Sequence, residues 1–220
     1  FEKQSFVLAA EKNLAFVAEM KEKLGFEADM LNMGGGFGIW YTDADAKIEP
    51  EGYRGYLTAL LSTVKEGCER YGLKRPFITL EPGRSIVGEA GITLYTVGAI
   101  KDIPGIRKYI AVDGGMFDNP RFALYQSKYT AVLANRAAEQ PTEVVAIAGK
   151  CCESGDLIGT EFNLPEARIG DIVAVLSTGA YNYSMASNYN RNFIPAAVLV
   201  RDGRAEYIVR PQTYEDLVRN

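Results

Sequence analysis

An α/β region followed by an all-β region is the fold class that this sequence predicts, and three observations carry it. Over residues 1–91, two apolar stripes of helical period alternate with two short β-prone runs, the order from which parallel strands with helical crossovers are built. From Ile92 onward the texture changes to β-rich runs divided by Pro104-Gly105, Gly114-Gly115 and Asp202-Gly203, the turn chemistry of antiparallel strands. With 220 residues, of which 47% are apolar, the chain is long enough for two modest domains, expected at 1–91 and 92–220.

The chain opens Phe1-Glu2-Lys3-Gln4, with no initiator methionine and no signal-peptide pattern, and so reads as part of something longer. Val7, Ala10, Leu14, Val17, Met20 and Leu24 then recur at helical spacing, with Lys21 and Lys23 in the last turn and Gly25 as a stop. Residues 28–33 read as a short strand that ends in Gly34-Gly35-Gly36-Phe37-Gly38. After a polar loop from Thr42 to Lys47, Pro50 is expected to open a second helix, striped by Tyr53, Leu57, Leu60, Leu61, Val64 and Cys68 and closed by Gly72. A second strand, Pro76-Phe77-Ile78-Thr79-Leu80, stops at Glu81-Pro82-Gly83-Arg84. That tetrapeptide sets an acid, a rigid turn and an arginine at the rim of a sheet, where α/β folds bind ligands.

The β-rich runs of the second half are 92–100, 109–112, 129–133, 143–148 and 171–176, then a hairpin of 196–201 with 206–210. They predict an antiparallel sandwich or barrel, and 214–218 reads as a last short helix.

Composition narrows the chemistry. A net charge of -4 offers no basic footprint for nucleic acid, and no apolar run reaches the length of a membrane span. Three cysteines, Cys68, Cys151 and Cys152, do not make the even framework of a secreted scaffold, which favours a reducing compartment such as the cytoplasm. The sequence has no histidine, so Ser-His-Asp and Cys-His catalysis, and most transition-metal sites, need another chain. Carboxylates, a thiol or a cofactor are left to do any chemistry.

The individual motifs are modest. Three consecutive glycines at a strand end suit an anion held by backbone N–H groups, and equally suit a tight turn. Cys151-Cys152-Glu153-Ser154-Gly155-Asp156 places a thiol beside acids, which raise a thiol's pKa and fit Cys152 for donating a proton rather than attacking as thiolate; a buried structural thiol is the alternative. In Asn119-Pro120-Arg121-Phe122-Ala123-Leu124-Tyr125, one helical turn would let Arg121 and Tyr125 reach the same carboxylate. Gly179-Ala180-Tyr181 puts a phenol after a strand, and Asn188-Tyr189-Asn190 reads as a cap or turn.

Taken in order, the glycine run, Glu81-Pro82-Gly83-Arg84, Arg121 to Tyr125, the loop Cys152-Glu153-Ser154-Gly155-Asp156, and Gly179-Ala180-Tyr181 with residues 184–190 resemble the pyridoxal-phosphate-dependent decarboxylases of alanine racemase-like fold, the group acting on ornithine, diaminopimelate and arginine. The resemblance covers essentially the whole chain. It implies the C-terminal part of a β/α barrel followed by a β-domain, with pyridoxal 5′-phosphate at the barrel mouth and a homodimer that shares its sites. It further implies that Gly34, Gly35 and Gly36 hold the cofactor phosphate with Gly83, Arg84 and Tyr181, and that Glu81 faces the pyridine nitrogen. By the same resemblance, Cys152 reprotonates the carbon that has lost CO2 and Glu153 receives the substrate ammonium, both reaching into the partner's site. Arg84, Arg121 and Tyr125, beside Tyr181, would bind a distal carboxylate, which favours meso-diaminopimelate, and lysine as product, over ornithine or arginine. A decarboxylase of another basic amino acid and a non-catalytic regulatory relative are the alternatives.

One departure stands out. The family's Schiff-base lysine lies in a Tyr-Ala-x-Lys context that no lysine here has, and the histidine-glycine motif that stacks on the cofactor ring is missing. Two strand-helix units also cannot close a barrel. The chain alone is therefore expected to be inactive, and its first 90 or so residues to expose apolar surface.

Overall fold

The computed structural model describes residues 3–45 and 52–219. The chain divides into two compact units, one of Phe1–Trp40 with Asp45–Val87 and the other of Tyr41–Ala44 with Gly88–Asn220.

In the first unit, helix α1 (Lys3–Leu24) follows the apolar period and ends where Gly25 takes a left-handed φ of 68°. Strand β1 (Met30–Asn32) pairs in parallel with β2 (Phe77–Thr79), Leu31 opposite Ile78. Between them runs helix α2 (Arg54–Tyr71), which stops at Gly72, also left-handed, with Leu73 N–H donating to the Cys68 carbonyl. The expected helix start at Pro50 lies outside the described residues. A short helix α3 (Gly83–Val87) follows the second strand. Ala10 and Leu14 of α1 meet Leu60, Val64 and Cys68 of α2 over Leu31, and Met33, Leu73, Ile78 and Leu80 border this core. Gly67 lets the two helices approach closely: a Cβ there would lie 2.5 Å from Leu14 Cδ1. Phe16, Leu24, Phe26, Met30 and Phe77 are all exposed, the apolar surface expected of this part.

The second unit is built on β3 (Thr93–Ile103), β4 (Arg107–Val112), β5 (Ala131–Leu133), β6 (Glu143–Ala148), β7 (Leu157–Leu164) and β8 (Ile172–Val175). Their order in the sheet is β5-β8-β3-β4-β6-β7. The edge strands β5 and β7 also touch, so the sheet is nearly closed into a barrel. Long β3 serves two neighbours: Thr93–Thr96 pair with β8, and Val97–Ile103 pair with β4 past an irregularity at Gly98. The core is Tyr95, Val97, Ile110, Val112, Leu133, Val145, Ile147, Ile158, Phe162, Leu164, Val173 and Val175, all buried.

Two expectations are corrected here. Strand β7 was not foreseen, and β4 pairs with β6 in parallel, whereas every other ladder of this sheet is antiparallel. The chain between β4 and β6 carries helix α4 (Arg121–Tyr125) and β5, which makes it a crossover rather than a hairpin.

Helix α5 (Asn182–Met185), the hairpin of β9 (Ala197–Arg201) with β10 (Arg204–Val209), and helix α6 (Tyr214–Val218) complete the chain. Asp202 and Gly203 both take positive φ, 51° and 72°, as a two-residue hairpin turn requires. Thr213 and Asp216 form a capping box on α6.

Candidate active site

In the first unit the glycine run and Glu81 occupy the ends of the two parallel strands and interlock. The ladder runs on past the strands: Met33 N–H donates to the Thr79 carbonyl at 3.0 Å, and Glu81 N–H to the Gly34 carbonyl at 2.8 Å. Gly34 and Gly36 have φ of 70° and 88°, and a Cβ at Gly35 would lie 2.2 Å from the Glu81 carbonyl oxygen. Only glycine fits at these positions. Glu81 accepts a hydrogen bond on Oε1 from Asn32 Nδ2 at 2.7 Å, while Asn32 Oδ1 accepts from Gly34 N–H at 2.8 Å. Gly83 N–H donates to the Glu81 carbonyl at 2.9 Å and starts α3, with Arg84 next to it. Gly34, Gly35, Glu81 and Gly83 thus join backbone and carboxylate in one cluster at a strand end, with Gly36 and Arg84 adjoining it in the chain. A phosphate beside a ring that carries a basic nitrogen fits such a donor set. Sequence reasoning missed Asn32, because nothing local marks a residue whose partner is 49 positions away.

In the second unit, α4 carries Arg121 on the helical turn that its spacing predicts. Its guanidinium carbon lies 4.9 Å from the Tyr181 ring centre and 5.8 Å from that of Tyr125, and Nη2 donates to Ser127 Oγ at 3.3 Å. Arg121, Tyr125 and Tyr181 are therefore brought together, with Arg121 itself buried and Tyr125 exposed. Tyr181 takes a φ of 74°, uncommon for a bulky residue. The buried Tyr129 hydroxyl donates to Asn182 Oδ1 at 3.4 Å, and burial raises its pKa against the lowering effect of Arg121.

The cysteine loop joins β6 to β7 and turns about Asp156. The Asp156 carboxylate is buried and accepts from Met116 N–H and Cys151 N–H, each at 2.6 Å, while its carbonyl accepts from Gly149 N–H at 2.8 Å. Cβ atoms at Gly115 and Gly149 would lie 2.6 Å and 2.2 Å from that carboxylate, so both glycines make room for it. On the outer side, Cys152 N–H donates to Asn190 Oδ1 at 2.9 Å, and the Tyr189 hydroxyl to Glu153 Oε2 at 3.4 Å. Asn190 and Tyr189 thus hold the loop rather than merely turning the chain. Burial, and then Asp156, push the Cys151 thiol up to about 11. Cys152 and Glu153 stand exposed at the loop tip.

Nearby, Asp118 is buried, bonded to the Tyr95 hydroxyl and Gly115 N–H, and burial raises its pKa to about 6. A cavity of about 710 Å³ between the β5 and β7 edges contains none of the predicted site residues. Among the described residues no group of His, Cys, Asp and Glu could hold a metal ion, and no helix is long and apolar enough to cross a membrane.

Comparison with known proteins points to one family. The family described as pyridoxal-dependent decarboxylase, C-terminal sheet domain, matches residues 10–179. The chain is 52% identical over 219 residues to the diaminopimelate decarboxylase of Bacillus subtilis (strain 168), covering 100% of this chain and 49% of that relative. It is 38% identical over 216 residues to that of Methanothermobacter thermautotrophicus, covering 98% of this chain and 49% of that relative. The structure superimposes on diaminopimelate decarboxylase from M. jannaschii in complex with L-lysine with a TM-score of 0.87 at 33% identity, over 99% of this chain and 48% of that one. The chain thus spans about half the length of the curated relatives it matches.

Proposed function

The chain belongs to the pyridoxal-dependent decarboxylase family as its C-terminal sheet domain, and on that premise we propose that the complete protein decarboxylates meso-diaminopimelate to lysine and CO2. The observation that carries the reading is the interlock of Gly34, Gly35 and Gly36 with Glu81 at the ends of two parallel strands. Pyridoxal 5′-phosphate, when bound, supplies the electron sink that decarboxylation requires.

Each residue then has a task. Gly34, Gly35 and Gly36, with Gly83 and Arg84, hold the phosphate, and Tyr181 adds a phenol to it. Glu81 holds a proton on the pyridine nitrogen, since a carboxylate there favours the charged N–H form. Arg84 and Arg121, with Tyr125 and Tyr181, receive the distal carboxylate through charge-assisted hydrogen bonds. Their chemistry disfavours substrates whose far end is a cation, and L-lysine in the M. jannaschii relative is the product that this reaction would leave. Cys152 Sγ carries the proton delivered to the substrate carbon, and Glu153 receives the substrate ammonium. Their exposure at the loop tip supports their serving the site of a second copy in a homodimer. Three free cysteines support a cytoplasmic setting.

The distal-carboxylate assignment is tested in the complete enzyme with Arg121→Ala. The expected result is a KM for meso-diaminopimelate raised tenfold or more, with inhibition by L-lysine, which lacks that carboxylate, unchanged. Equal weakening of both would show that Arg121 supports the fold and not the substrate.

A further inference from the structure

Asn32 ends β1, one residue before the ladder passes into the glycine run. Its amide makes two contacts of opposite sense: Oδ1 accepts from Gly34 N–H at 2.8 Å, and Nδ2 donates to Glu81 Oε1 at 2.7 Å. The orientation of the amide is fixed by its partners, because a backbone N–H only donates and a carboxylate only accepts. One short side chain therefore ties the first glycine of the run to the acid on the neighbouring strand. Main chain repeats the tie from the other side, where Glu81 N–H donates to the Gly34 carbonyl at 2.8 Å. The main-chain bond fixes where residue 81 sits, and the amide fixes where its carboxylate points.

We infer that Asn32 is a positioning residue for Glu81. It engages Oε1, leaving Oε2 as the oxygen to meet the pyridine nitrogen, and couples that orientation to the loop that holds the phosphate. The inference rests on the proposed cofactor reading. Asn is suited to the task because it offers one acceptor and one donor on a stem of a single carbon. Leu would offer neither, and Asp would set a second carboxylate against the first.

The test compares two probes in the complete enzyme: pyridoxal 5′-phosphate, and its 1-deaza analogue, in which the ring nitrogen is replaced by C–H. Dissociation constants are measured by absorbance titration for the unaltered protein, Asn32→Ala and Glu81→Gln. If Asn32 aims Glu81, Asn32→Ala weakens pyridoxal 5′-phosphate by roughly tenfold, the scale of one hydrogen bond to a charged group, and leaves the deaza analogue within about twofold. Retained binding of the analogue also shows that the variant is folded. Equal losses for the two probes, or no loss for either, would overturn the positioning role and reduce Asn32 to a loop brace. Glu81→Gln separates the premise from the inference: discrimination between the probes lost there but kept in Asn32→Ala overturns only the inference. If Glu81→Gln leaves the discrimination untouched, Glu81 does not meet the ring nitrogen and the cofactor reading itself fails.

Discussion

Replacing Asp156 by Ala removes the acceptor that holds the cysteine loop from within. Its two carboxylate oxygens take N–H groups from Met116 and Cys151, each at 2.6 Å, in a buried setting that Gly115 and Gly149 keep clear. Leaving a buried donor unsatisfied costs about 1–3 kcal/mol, so the two together cost about 2–6 kcal/mol. Because the unit joins this loop to an otherwise continuous sheet, the loss should appear as local opening of 149–156 before any global unfolding. At about 1.4 kcal/mol per tenfold, opening becomes roughly thirtyfold to twenty-thousandfold more frequent. The reporter is amide hydrogen exchange at Gly149, whose N–H is bonded to the main-chain oxygen of residue 156 and loses no partner directly. The expected outcome is fast exchange at Gly149 with unchanged protection in the β3–β4 ladder. Unchanged Gly149 exchange, or equal acceleration in that ladder, would refute the reasoning that Asp156 is the loop's anchor.

Three further outcomes follow from the same geometry. Asp118, whose folded pKa of about 6 exceeds the unfolded 3.8, makes a contribution to stability that is fully present at low pH and lost as pH rises from about 4 to 6. The two-unit shift amounts to about 3 kcal/mol, and the difference between unaltered protein and Asp118→Asn in urea unfolding across that window should show it. Asp171, held below the usual range because Asn135, Arg168 N–H and Arg136 together outweigh burial, acts in the opposite sense: its contribution disappears as pH falls through the folded pKa. Asp171→Asn should therefore flatten the acid limb of the same curve. Gly67→Ala should destabilise the first unit by about 1–2 kcal/mol through overpacking against Leu14, and in a Leu14→Ala background the same change should be neutral or stabilising in thermal melts.

What could be read from the sequence was what depends on near neighbours. The helix period found α1 and α2, with Gly25 and Gly72 as their stops, and turn chemistry found the β3–β4 and β9–β10 hairpins. The glycine run and Glu81 were legible as unusual composition at strand ends. Strand β7 was hidden because Gly159, Glu161 and Asn163 break its apolar run, although Ile158, Phe162 and Leu164 are buried with a spacing of two or four. The Phe162 ring covers Gly159, where a Cβ would lie 2.7 Å from Cε2, so an aromatic three positions along the same strand covers the weak point. Pairing of β4 with β6 depends on a long crossover that no local pattern encodes. Asn32 escaped for the same reason, as did the anchoring role of Asp156, which the sequence showed only as an acid beside a thiol: each acts through partners brought to it by the fold.

The central claim is tested most directly by following CO2 and lysine together. The complete enzyme, with pyridoxal 5′-phosphate, is given meso-diaminopimelate, L-ornithine or L-arginine in parallel, and an apoenzyme sample serves as the blank. The expected result is equal amounts of CO2 and lysine from diaminopimelate only when the cofactor is present, with far slower turnover of the two substrates whose far end is cationic. Faster release of CO2 from ornithine or arginine, or release from diaminopimelate that is indifferent to the cofactor, would contradict it.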